Sequence, residues 1–378
     1  MKRLTTLFVA SLLLALAVTQ SAATKNPRGH HHRGHHKQHA VFVQTNEPAG
    51  NRIIVFDRAR NGQLSQAGTY PTGGNGGVAA PGDEPDHLAS QGSLVYDWRH
   101  SLLIAVNAGS DTVSTFKVRG DRLRLTGVVP SGGAFPASVA VSGNLVYVLN
   151  SGGPGTLQGY VIRGHRLRAL SGSTTSLGLS NTDPPNFLTS PGQVGFTPDG
   201  GKLIVTTKAS GSNIVVYRVR GDGRLASPVV NASATPVPFA FTFGPRGRLV
   251  SGEAMQSVLT TYAINGNGTL ADPQSVSDGQ AALCWVVRAR GYYYVANTMS
   301  NTLSAYRISR SGTPTLLSAV AAVTETGPID LAASGPYLYG QTGAAGTLDE
   351  YRVHRDGTLE KIGVITGLPV GQEGIATN

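Results

Sequence analysis

The sequence predicts an all-β, seven-bladed β-propeller with four-stranded blades, its ring closed by a C-terminal strand that joins blade 1. Three observations lead there. One unit recurs seven times, its period is that of a propeller blade, and the chain ends in a strand-like tail that the first unit lacks.

The unit is an aromatic strand, a polar glycine turn and a leucine. Its aromatics are Phe56, Phe116, Tyr160, Tyr217, Tyr262, Tyr306 and Tyr351; its leucines are Leu64, Leu123, Leu167, Leu225, Leu270, Leu316 and Leu359. Between them lie pairs such as Asn61-Gly62, Asp222-Gly223 and Asp356-Gly357, which accept the positive φ of a tight hairpin. An apolar strand ending in a small polar residue precedes each aromatic strand, as in Leu102 to Asn107 or Tyr292 to Asn297. A small-residue strand precedes that one, as in Pro136 to Ser142. With the strand after each leucine, the unit has four strands.

Successive leucines are 59, 44, 58, 45, 46 and 43 residues apart, so two units carry insertions. The first unit, from Ala40, has no innermost strand, while Gln372 to Asn378 is left over after the seventh. Pairing the two removes the open edge of the ring.

Composition agrees. The 378 residues include 49 glycines and only 14 % charged residues, which favours short strands and turns over helical bundles. Residues 1–23 read as a signal peptide, with Lys2 and Arg3, an apolar run from Leu7 to Val18, and Ser21-Ala22-Ala23 before the cleavage point. The protein is therefore expected to be exported, secreted or periplasmic. No later stretch approaches the about 20 apolar residues of a membrane span. The single cysteine, Cys284, has no intramolecular disulfide partner, so stability must come from packing. The net charge of +10 is scattered over turn arginines rather than gathered into a stripe, which argues against nucleic acid. A monomer is expected.

Residues 24–39 form a His-rich linker, predicted to be disordered, with His30, His31, His32, His35, His36 and His39 as a candidate divalent-metal site without a fixed spacing. The propeller needs no cofactor.

Functional residues are expected on the face where second strands end and innermost strands begin. Both insertions fall there: Thr72 to His87 and Gly172 to Pro191. Six second strands end in neutral residues (Asn46, Asn107, Asn150, Thr207, Asn297 and Thr342), whereas the fifth ends in Glu253. That carboxylate is expected to face the channel mouth as a candidate catalytic base. Gln193, Trp285, Asp330, Glu373 and His87 are expected to line the mouth as binding residues. Carboxylates gathered in a partly dry funnel would have raised pKa values; the alternative is that they only hydrogen-bond the neck.

The stretches Pro191 to Gly200 (PGQVGFTPDG), Pro238 to Ala254 (PFAFTFGPRGRLVSGEA) and Ala281 to Val287 (AALCWVV) resemble the lactonase-like seven-bladed propellers. These are the family of bacterial 6-phosphogluconolactonase and fungal carboxymuconate-lactonising enzyme, and the resemblance spans Ala40 to Asn378. It implies a lactonase-type hydrolase or a muconate-cyclase-like isomerase acting on a small lactone or organic acid, with His, Arg and Glu at the channel mouth. Glu253 matches that Glu. The family's His falls at Gly192 and its Arg-His pair at Val237-Pro238, which leaves His87 as a substitute imidazole. The other reading is a non-catalytic exported propeller that binds a ligand or a cell-envelope component through its top loops.

Overall fold

The structure is a computed structural model that describes residues 39–82 and 85–378. The signal peptide and most of the His-rich linker lie outside the described residues.

The described residues form seven antiparallel sheets, each ordered from innermost to outermost strand. Blade 1 combines the closing strand β29 (Ile375–Thr377) with β1 (His39–Gln44), β2 (Arg52–Arg58) and β3 (Leu64–Pro71). Blade 2 is β4 (Leu94–Asp97), β5 (Leu102–Asn107), β6 (Thr112–Arg119) and β7 (Arg122–Pro130). Blade 3 is β8 (Pro136–Ser142), β9 (Leu145–Asn150), β10 (Thr156–Arg163) and β11 (Arg166–Ala169), with β12 (Thr175–Ser176) added against β10. Blade 4 is β13 (Gln193–Phe196), β14 (Lys202–Thr206), β15 (Asn213–Arg218) and β16 (Val229–Ala232). Blade 5 is β17 (Pro238–Phe243), β18 (Leu249–Glu253), β19 (Val258–Ile264) and β20 (Leu270–Ser277). Blade 6 is β21 (Leu283–Ala289), β22 (Tyr292–Asn297), β23 (Thr302–Ile308) and β24 (Pro314–Val323). Blade 7 is β25 (Pro328–Ser334), β26 (Tyr337–Thr342), β27 (Thr347–Val353) and β28 (Leu359–Ile365).

The repeat positions explain why the blades stack. All seven aromatics are buried, as are Leu64, Leu123 and Leu167, so each blade contributes one large ring to an interblade layer. A second tie links neighbouring blades. The hydroxyls of Tyr147, Tyr294 and Tyr339, on second strands, donate to the carbonyls of Gly223, Gly357 and Gly62 in the next blade's hairpin turn. Gly62 has φ of +94° and a Cβ there would stand 2.2 Å from the Tyr337 ring, so only glycine allows this contact.

Ring closure pairs Val41 with Thr377, Phe42 with Ala376 and Val43 with Ile375. The Gln44 amide continues the pairing to the Gly374 carbonyl at 2.8 Å. The closing strand is thus shorter than the expected tail: Gln372 bonds Gln341 and the Thr347 carbonyl instead, and Glu373 accepts the Leu88 and Ser90 amides. The first strand begins one residue earlier than expected: His39, counted above as linker, lies in β1 with its Nδ1 3.3 Å from the Asn378 carbonyl.

Ile375 is buried against Val41, Val43 and Tyr339 at the closing seam. Ile375→Ala should lower unfolding stability by about 2–5 kcal/mol, and deletion of residues 372–378 should leave no cooperative transition. Guanidinium unfolding followed by tryptophan emission reads both.

Candidate functional site at the channel mouth

Four innermost strands carry an irregularity just inside the mouth, where pairing skips between Pro136 and Ser138, Pro238 and Phe241, Leu283 and Trp285, and Ile329 and Leu331. Such bulges re-aim side chains. Two of the skipped residues, Cys284 and Asp330, carry ionisable groups.

The mouth is filled by the chain itself. The end of the first insertion and the segment that follows it, Asp86 to Gln91, pass over the ring axis as a plug bonded to blades on opposite sides. The Leu88 and Ser90 amides donate to the two Glu373 oxygens at 2.6 and 3.2 Å. The Ser90 hydroxyl donates to the Ala137 carbonyl, and the Gln91 amide to the Gly192 carbonyl. Across the ring, the Trp285 indole donates to the Ser90 carbonyl at 3.2 Å, and the Gln91 carboxamide pairs with the main chain of Val286 in both directions. The second insertion is laced to the first by a parallel bridge between Ala80 and Asn186.

Four ionisable side chains gather here, Asp86 at the start of the plug and Lys208, Asp330 and Glu373 packed against it. The Lys208 ammonium donates to the carbonyls of Ala89 and Phe187 and to the Ser190 hydroxyl, which uses all three of its protons. Burial lowers its pKa to about 8, against the pull of Asp86, Cys284 and Glu373. Asp330, with φ of +26°, accepts from the Leu331 and Ile375 amides at 3.0 and 3.2 Å. Burial nonetheless pushes its pKa up to about 7. Glu373 is raised well above the usual carboxyl range, first by burial and then by Asp86, with which it shares a hydrogen bond. Asp86 in turn accepts the Ala89 amide at 2.8 Å. Asp330 and Lys208 are thereby poised to hold or move protons near neutral pH if a ligand reaches them.

Beside the plug opens an apolar cavity of about 210 Å³, walled by Phe187, Leu188, Phe239 and Met255, with Lys208 and Cys284 among its lining. The Phe239 ring packs on Trp285 with centroids 4.8 Å apart. Burial pushes the Cys284 thiol up to about 12, so it is a packed thiol and not a nucleophile.

The expected site residues divide accordingly. Trp285, Asp330 and Glu373 do meet around the plug. Gln193 instead spends its carbonyl on the Phe241 amide at 2.6 Å, joining blade 4 to blade 5. The His87 ring lies against Gly371, where a Cβ would come within 1.9 Å of it, and its imidazole pKa is lowered by burial.

Glu253 does not face the mouth as the strand-end comparison implied. Its oxygens accept from the Thr235 amide at 2.8 Å, the Thr260 hydroxyl at 3.0 Å, and the hydroxyls of Thr235 and Tyr262. It fills the place where Asn107 and Asn297 donate to Thr112 and Ser114, or to Thr302 and Ser304. The acid is thus an asparagine equivalent with its polarity reversed, turned into its own blade. Burial raises its pKa while the four donors pull it down.

Of the candidate metal ligands, His39 is the one described, in β1; the described residues contain no group of three or more potential metal ligands. The family's missing His also has a structural correlate. A Cβ at Gly192 would stand 2.8 Å from the Phe239 carbonyl oxygen, so no side chain fits there without a shift.

Sequence reading missed Lys208, Asp86 and Gln91. Lys208 was visible as a long cation where blades 2, 3, 5, 6 and 7 place Ala108, Ser151, Ala254, Thr298 and Gly343 after the second strand and blade 1 places Glu47. Gln91 gave no such signal, because its partner lies on the opposite blade.

No protein-family model and no curated protein matches the chain. Solved structures do. A candidate 6-phosphogluconolactonase of Bacteroides uniformis superposes with a TM-score of 0.70 at 17 % identity, covering 91 % of this chain and 100 % of that one. The periplasmic gluconolactonase of Pseudomonas aeruginosa gives 0.70 at 16 % identity over 90 % and 98 %. A protein of Lactobacillus plantarum gives 0.68 at 18 % over 90 % and 99 %. The chain has the fold of the 6-phosphogluconolactonase-like seven-bladed propellers.

The raised carboxyl pKa values make stability fall as pH rises. Between the unfolded value near 4 and the folded value of about 7, Asp330 keeps a proton that the unfolded chain releases, and Glu373, also raised, acts in the same sense. Lys208 acts in the opposite sense above about 8, where the unfolded chain holds the extra proton. The denaturation midpoint should therefore be higher at pH 5 than at pH 7.5, and Asp330→Asn should flatten that slope.

Proposed function

We propose that the chain is a ligand-binding propeller built on the lactonase-type fold, and that it holds a small, largely apolar molecule in the off-axis cavity of Phe187, Leu188, Phe239 and Met255. One observation carries this reading: the axis, where a propeller enzyme would admit substrate, is occupied by the chain's own Leu88 to Gln91, bonded across the ring. The saturated carboxylate of Glu253 supports it too.

A second reading, hydrolysis of a small lactone or organic acid, draws on the titratable group of Asp86, Lys208, Asp330 and Glu373 at the plug. On that reading the plug lifts and a buried carboxyl activates water. Both readings take the protein as exported. The leader-like residues 1–23 favour that.

Two measurements separate them. N-phenyl-1-naphthylamine, an uncharged apolar fluorophore, should brighten with the wild-type protein and not with Ala254→Phe, which fills the cavity. A panel of γ- and δ-lactones should hydrolyse at the spontaneous rate. Turnover above background that Glu373→Gln abolishes in a folded protein would overturn the binding reading in favour of the enzyme.

A further inference from the structure

We propose that the face opposite the plug carries a carbohydrate-binding cleft, with Trp98 as the platform on which a sugar ring stacks.

Trp98 sits in the turn between β4 and β5, Asp97 to Ser101. The turn does not need it. The Asp97 Oδ1 accepts the Arg99 amide at 3.1 Å, its other oxygen holds His100 Nδ1, and His100 Nε2 reaches Asn144 Oδ1 at 2.8 Å in the neighbouring blade. These bonds fix the loop through side chains on either side of the indole. The matching turns of blades 3 to 7 use Gly143-Asn144, Asp199-Gly200, Pro245-Arg246, Arg290-Gly291 and Gly335-Pro336, with no aromatic among them.

Yet the indole is 73 % exposed, whereas the seven repeat aromatics are buried. A large ring held in water on a turn fixed by other side chains is a preformed stacking platform, apolar over its ring and polar at its N–H. A cleft of about 330 Å³ opens beside it, lined by Tyr96, Asp97, Arg99, Ser142 and Phe196. Sites for small ligands typically run from about 300 to 1,000 Å³.

The lining chooses the ligand. A pyranose ring presents C–H groups on its faces and hydroxyls at its edges. The exposed part of the indole suits the first; the Arg99 guanidinium, which lies over one face of that ring 5.5 Å from its centroid, suits the second, together with Ser142. A Cβ at Gly143 would meet nothing within 4 Å, so the cleft is open on that side and a longer chain can run past. A β-linked polysaccharide, whose flat ribbon offers ring faces in succession, fits this arrangement. The site is independent of the cavity beside the plug.

The test uses the full chain with cellohexaose and chitohexaose, followed by tryptophan emission and calorimetric titration. Trp285 is buried, so a sugar-dependent emission change reports Trp98. The expected result is a saturable emission shift and heat with at least one sugar. Trp98→Ala should bind about tenfold or more weakly with an unchanged unfolding midpoint, and Ala254→Phe should bind like the wild type. Absence of binding by both sugars at millimolar concentration overturns the proposal. So does Trp98→Ala binding as tightly as the wild type.

Discussion

The last seven residues bear two loads at once. Ile375 to Thr377 close the ring against β1, and Glu373, two residues earlier, holds the plug by accepting the Leu88 and Ser90 amides. Asp330 ties these together from blade 7 by accepting the Ile375 amide. A single stretch of chain therefore sets both the circumference of the propeller and the state of its mouth. No disulfide assists, since the one cysteine is a buried thiol. The tie consists of main-chain pairing, apolar burial and buried carboxyls. Each of those carboxyls is held in a setting that opposes its charge.

This arrangement explains why the mouth is polar without being open. Buried polar groups are stabilising only when their partners are complete. Lys208 has three acceptors, Glu373 takes two amides, and Gln91 pairs with both main-chain groups of Val286. The network reaches blades 1, 3, 4 and 6, so displacing the plug would orphan groups on several blades together. The mainly apolar cavity beside it can take a ligand without displacing the plug, which supports the binding proposed there.

How much of this the sequence showed depends on the range of the interactions involved. The blade count was legible because each blade repeats local features: a glycine turn, an aromatic at a fixed offset, alternating burial along strands. Closure was legible because a missing strand and a surplus strand sat at opposite ends. The direction of the Glu253 side chain was not. Position on a strand tells which end a residue occupies, but the pleat and its hydroxyl neighbours decide where it points. The repeat did contain the clue, in the Thr260 and Tyr262 hydroxyls one strand away. The plug was illegible for another reason: Gln91 and Val286 are brought together by the ring as a whole, and no local pattern encodes that meeting.

The pairing of β1 with β29 also constrains how the molecule assembles. The two strands lie at opposite ends of the folded chain, so their pairing has the longest sequence separation in the fold, and loop-closure entropy must be overcome before it forms. Blades 2 to 7, each a local meander, can form earlier and in any order. The seam between the ends therefore carries the largest loop-closure cost of any strand pairing in the described fold. Because Glu373 stands at that seam, the stretch of chain that completes the circle also completes the bonding of the plug.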